Sequence, residues 1–236
     1  MVWPDNVLGV QLTVSWQDTL PAAILRRYAF LETRNAAAIL RATNPVEFND
    51  LVAVLEGFSL SSEDILTAGG NETDIAARLN AELRQRGWHE VQAVTKTTMS
   101  LRERAAPHSV QAQSTTELDG YFIDNVKGRV AMDVEWNAKD GNLDRDLSMY
   151  RSLYDSGFID VAIMITREHT DLRDWGQQMR RDDGQTEAQV KAWLGTSTTT
   201  NVDKLQPRVE AGGAGGCPFL AVAITKSTWQ NDGVAS

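Results

Sequence analysis

Residues 123–137 run Ile123-Asp124-Asn125-Val126-Lys127-Gly128-Arg129-Val130-Ala131-Met132-Asp133-Val134-Glu135-Trp136-Asn137, and their reading decides the fold. From Arg129 to Trp136 the chain alternates, with Val130, Met132, Val134 and Trp136 on one face and Ala131, Asp133 and Glu135 on the other. A period of two is a strand signature. The apolar face can pack into a core, so Asp133 and Glu135 project together from the opposite face. A tight turn around Asn125–Gly128 returns an antiparallel neighbour, bringing Asp124, read as a turn acid, to the same end of the sheet. Three carboxylates converging on one edge repel each other unless a hard divalent cation lies between them. That arrangement suits metal-assisted phosphodiester hydrolysis. The bland alternative is a half-buried strand with a solvated acidic face, and the surrounding sequence has to decide.

The bulk properties set limits. A chain of 236 residues can bury a full core, and 42% hydrophobic with 23% charged residues is the balance of an ordinary globular protein. No apolar run approaches the ~18–20 residues that span a bilayer, and the Met1–Asn6 start lacks the pattern of a secretory signal. No membrane partner is therefore expected. One cysteine, Cys217, excludes an internal disulfide and suits a reducing cytoplasm. With three histidines and one cysteine there is no zinc-ligand spacing, so any metal is bound by oxygen. A net charge of −9 argues against non-specific, charge-driven nucleic-acid binding. It leaves room for a basic cleft built from arginines and lysines such as Arg84, Arg173 and Lys204.

Around the acidic segment the pattern predicts an α/β chain. Helices are expected over 34–42, from Pro45 to Gly57 with Phe48, Leu51, Val52 and Leu55 inward, over Ser61–Ile65, and from a Thr73 cap to Arg86 with Gly87 as terminator. Gly69-Gly70-Asn71 is a loop. Val91–Leu101 is strand-like, residues 103–117 are an exposed loop, and strands follow near 120–124 and 129–136. A helix over 144–154 leads to an apolar strand, Ile159–Thr166, and helices near 171–180 and 186–193 precede a last strand, Leu220–Thr225. The expectation is one domain over 1–236. It comprises a helical cover (about 20–66), a core (about 70–170) and a C-terminal loop and strand (about 190–226), built on a central mixed β-sheet flanked by helices.

That order, with Asp124 nine residues before Asp133-x-Glu135, resembles the PD-(D/E)xK nuclease core, and more closely the type II restriction endonucleases of the BglII/BstYI family. The resemblance runs from about Gly69 to His169. The family implies that Asp124 and Asp133 bind the metal, Asp133 standing where Glu is commoner. Glu135 occupies the superfamily's usual Lys position, where this group carries Gln or Glu, and it ligates a second metal or orients the attacking water. Glu90, just after Trp88, falls near a further metal position. The implied cofactor is Mg²⁺, with Mn²⁺ substituting. The implied partners are double-stranded DNA, a second copy of the chain in a homodimer, and a cognate DNA methyltransferase as a functional rather than physical partner. The dimer surfaces would be the 144–154 helix and the N-terminal helices.

Sequence reading calls for polar side chains at the rim of the cleft. Asn137 and Lys139 leave the catalytic strand directly, and the run Thr196-Ser197-Thr198-Thr199-Thr200-Asn201-Val202-Asp203-Lys204 offers hydroxyls, an amide and an ammonium. Thr198, Thr199, Thr200, Asn201 and Lys204 are therefore expected at DNA. The alternative function is a catalytically inactive nuclease-fold DNA-binding module. A glycoside hydrolase is disfavoured, because acids two residues apart on one strand cannot flank a sugar.

Overall fold

The computed structural model describes residues 10–67, 72–136, 139–195 and 198–230. The expected 69–71 loop, Asn137 and the Thr196-Ser197 pair lie outside them. Short helices α1 (Trp16–Thr19) and α2 (Ala22–Leu25) precede strand β1 (Tyr28–Thr33). Four helices follow: α3 (Ala36–Thr43), α4 (Pro45–Gly57), α5 (Ser62–Leu66) and α6 (Glu72–Gln85). Then come β2 (His89–Glu103), β3 (Ala106–Lys127), β4 (Val130–Val134), α7 (Gly141–Asp155) and β5 (Val161–Arg167). Helices α8 (Thr170–Asp182), α9 (Glu187–Ala192) and α10 (Val202–Glu210) lead to β6 (Phe219–Ile224).

The six strands form one mixed sheet in the order β1-β6-β5-β4-β3-β2. Strands β4, β5 and β6 are parallel neighbours at its centre, and the outer pairs are antiparallel. The alternation in the sequence sorts side chains between two cores. Val130, Met132, Val134, Val161, Ile163, Ile165, Leu220, Val222 and Ile224 face one layer, which holds residues of α2–α6, α8 and the 193–194 turn. Ala131, Ala162, Met164, Phe219 and Ala221 face the other, built on Leu143, Leu147 and Tyr150 of α7 and on Leu205 and Val209 of α10. The small alanines on this second face let α7 lie close to the strands, and that helix covers the acids.

Several expectations are corrected here. Apart from the turn at Arg104 and Ala105, residues 103–117 are strand, not loop: β2 and β3 pair as a long antiparallel hairpin from His89↔Val126 to Glu103↔Ala106. Each strand bonds the other along one edge and turns its second edge to solvent over most of its length, while Met99, Leu101 and Leu118 remain exposed, so no core imprints a pattern on the sequence. The register shifts between Gln92 and Val94, where a Cβ on Gly120 would lie 2.0 Å from the Ala93 carbonyl oxygen. Only glycine fits that approach. The β3–β4 turn lies at Gly128 and Arg129, with Gly128 at φ +53°, so only the last residue of the expected Asn125–Gly128 turn belongs to it; Asn125 is already paired with Met132. Asp124 therefore sits within a strand, not on a turn. The helical cover contains β1, an integral edge of the sheet, and α10 arises within the expected recognition loop. Helix α6 begins at Glu72, so Thr73 is inside it rather than capping it, and Val54, not Val52, completes the buried face of α4.

Candidate active site

Strands β3 and β4 bring the first two acids together. The Asp124 N–H donates to Asp133 Oδ1 at 2.7 Å, and the Tyr150 hydroxyl of α7 donates to Asp133 Oδ2 at 2.5 Å. Asp133 is thus gripped from the neighbouring strand and from the covering helix, and it is only 6% exposed. This overturns the solvated-face alternative: β4 is buried along its whole length. Glu135 follows at the end of β4 and is half-buried. Its N–H continues the ladder to the Ile165 carbonyl at 2.8 Å.

The electrostatics follow from that burial. Burial pushes Asp133 up to about 7, against the lowering pull of the Tyr150 and Asp124 hydrogen bonds. Burial also pushes Glu135 up to about 8, with the charges of Asp146, Asp133 and Asp124 adding to it and Arg145 opposing. Asp124 is raised by burial and by Glu90, and lowered by a backbone bond from Val134 and by the Arg84 and Arg145 charges. Glu90 itself is exposed on β2, at the register shift between His89 and Val91, a position where a bulge re-aims a side chain.

Helix α7 adds residues that the sequence reading missed. Asp146 is buried, with its Oδ1 held by Arg145 Nε at 2.9 Å, and Arg145 in turn lies over the Tyr121 ring at 5.0 Å. The signal was available: Leu143, Asp146, Leu147 and Tyr150 stand at helical spacing, so two polar groups share the inward stripe.

The donor set is all oxygen, which suits a hard divalent cation. Buried carboxyls whose ionisation is opposed by one another gain most from a cation beside them. Among the described residues no three His, Cys, Asp or Glu side chains gather closely enough to hold a metal ion together, so the expected convergence of three carboxylates is not seen. One or two carboxylates are the protein share that Mg²⁺ commonly takes, with water and phosphate filling the rest of its shell.

The expected DNA-contacting set divides. Thr199, Thr200 and Asn201 are buried, and their polar groups are used internally. Thr200 Oγ1 donates to the Glu135 carbonyl at 3.1 Å, and Thr199 Oγ1 accepts from Arg167 Nη2 at 2.8 Å. Arg167, fully buried, also donates through Nε to the Trp136 carbonyl at 3.0 Å. Asn201 caps α10, its side chain accepting from the Lys204 N–H at 3.1 Å. These three are corrected from base-reading to bracing: they tie the exit of β4 to α10. Lys139 and Thr198 are exposed, and Lys204 is partly exposed with Nζ 3.3 Å from Asp140 Oδ2.

Among the described residues no helix is long and apolar enough to cross a membrane. The family model for restriction endonuclease BglII/BglIII matches residues 28–224, from the first residue of β1 to the last of β6, so it spans the entire sheet. No curated protein matches the chain.

Proposed function

The chain belongs to the BglII/BglIII restriction endonuclease family, and on that premise we propose that it cuts double-stranded DNA at a specific sequence, using a divalent cation. The observation that carries this reading is the bond from the Asp124 N–H to the Asp133 carboxylate, which sets the two acidic residues side by side on adjacent strands. Asp124 and Asp133 are the candidate ligands for Mg²⁺, with Mn²⁺ able to substitute. When bound, such an ion supplies positive charge to the scissile phosphate and to the leaving oxygen. Tyr150 holds Asp133 in one rotamer, and Thr200 and Arg167 hold the backbone carbonyls of Glu135 and Trp136. Glu135, just past the end of β4, is the candidate for orienting the attacking water, since it is less buried than Asp133. Lys139, Thr198 and Lys204, with Asn137 beside them in sequence, are the candidate DNA contacts. Glu90 is a candidate outer acid of the same centre.

One centre cuts one strand, so a duplex cut calls for two, and a two-fold homodimer matches a palindromic target. Such an enzyme works in the cytoplasm alongside a methyltransferase that protects the host's own copies of the site. The test is digestion of a long unmodified DNA with Mg²⁺ and with EDTA, followed by sequencing of the fragment ends. Discrete ends that appear only with the cation are expected. Asp124→Asn and Asp133→Asn should each abolish cutting while keeping the fold and the affinity for DNA, because less negative charge then faces the phosphates. Unimpaired cutting by either variant sinks the assignment of these acids.

A further inference from the structure

Among the described residues, the other buried carboxylates are held by donors. Glu32 accepts four hydrogen bonds, from Thr13 Oγ1, Ser15 N, Ser15 Oγ and Ala37 N. Asp64 accepts from the Ser61 N–H and pairs with Arg78 at 2.7 Å. Asp146 differs. It is 6% exposed, its Oδ1 is taken by Arg145, and its Oδ2 is the one buried carboxylate oxygen among the described residues that no donor reaches, unless it shares a proton with the Glu135 carboxyl beside it.

The topology says which strand residue Asp146 stands beside. Strands β4 and β5 are parallel, so α7, which joins them, runs back against both. Tyr150 of α7 touches Asp133 of β4. Stepping back one turn to Asp146 moves about 6 Å along the helix, and stepping forward two residues to Glu135 moves about 6.6 Å along the strand, in the same direction. Asp146 therefore lies level with Glu135, as Tyr150 does with Asp133. Two ionised carboxyls have no donor between them, so only a proton or a cation joins such a pair.

We propose that Asp146 is a further acid of the active centre and that, together with Glu135, it holds a second divalent cation, Mg²⁺ or Mn²⁺, beside the one assigned to Asp124 and Asp133. This rests on the nuclease reading and adds to it a ligand from the covering helix. The cation is what satisfies Oδ2, while Arg145 fixes the other oxygen and with it the rotamer. Two protein carboxylates are enough, the rest of the shell coming from water and phosphate.

The test is Mn²⁺ binding by the full chain without DNA, followed through the loss of the free-ion electron paramagnetic resonance signal, with melting in EDTA as a measure of the fold. Asp146→Asn should lose one equivalent of Mn²⁺ per chain, or at least tenfold in affinity, while melting in EDTA no lower than the parent. Glu135→Gln should lose the same equivalent, and the double variant no more than either single one. Unchanged Mn²⁺ binding in Asp146→Asn overturns the proposal. So does an Asp146→Asn chain that fails to fold, because the carboxylate would then serve the Arg145 pair and the fold. A parent that cuts no DNA with either ion sinks the nuclease reading instead. A cutting parent with a variant that binds Mn²⁺ normally sinks only this inference.

Discussion

Tyr150 donates its phenolic hydrogen to Asp133 Oδ2 at 2.5 Å, and both groups are buried between α7 and the sheet. That bond favours the ionised carboxyl, so it opposes the burial that raises Asp133 to about 7. Tyr150→Phe should then cost about 1.5–3 kcal/mol where Asp133 is ionised and less where it is protonated. Urea unfolding without cation, compared well above and well below neutrality, checks this. An equal loss at both pH values would mean that the phenol serves packing and its 3.2 Å bond to the Ile163 carbonyl rather than the acid.

The same groups set the pH dependence of the cation-free fold. Asp133 and Glu135 are raised to about 7 and about 8, above their ordinary values, so between those limits the folded chain holds protons that the unfolded chain has lost. Stability from these two groups is therefore full below the ordinary carboxylate range. It drains as pH rises and levels off above about 8. The melting temperature in EDTA should be lower at about pH 8.5 than at about pH 5.5. Mg²⁺ should restore it chiefly at the higher value, where the carboxyls are free to ligate. A melting temperature in EDTA that rises across this range would overturn the account.

The period-two run at 130–136 made β4 and its acids legible, because a strand covered on both faces still sorts its side chains between two cores. Asp146 stayed hidden for a local reason. It stands beside Asp144 and Arg145, so the stretch has the look of a solvated helix face, and only its spacing to Leu143, Leu147 and Tyr150 marks it as inward. The 106–117 strand was illegible because its pairing partner, not a core, gives it shape. Thr199, Thr200 and Asn201 misled through composition. Their burial depends on Arg167 and on the Glu135 carbonyl, 32 and 65 residues away from the contacting threonines, and no local pattern displays such contacts.

Asn201 and Thr200 give that bracing role a direct check. Asn201→Ala removes the cap of α10 and should cost about 1 kcal/mol of stability. Thr200→Val removes the hydroxyl that fixes the Glu135 carbonyl, so cleavage should slow while DNA affinity holds. Neither variant should change the ranking of DNA duplexes that differ by one base pair in the target. A loss confined to one symmetric pair of base positions would restore these residues to readout.

Glu135→Lys tests what the acidic centre was built around. The new ammonium would stand where the Glu135 carboxyl now meets the charges of Asp146, Asp133 and Asp124. In the cation-free chain this turns repulsion into attraction, so the variant should melt higher than the parent in EDTA. The same attraction works against catalysis, because the lysine pairs with carboxylates that the cation needs. Cleavage should fall far more than tenfold, which corresponds to a barrier rise well above about 1.4 kcal/mol. Stabilisation by added Mg²⁺ should shrink in parallel. The two measurements separate the causes of failure. A variant that melts lower and cuts poorly has merely been misfolded by a longer side chain. A variant that melts higher yet cuts within about tenfold of the parent would show that the position accepts either charge, and that Glu135 orients nothing its replacement cannot.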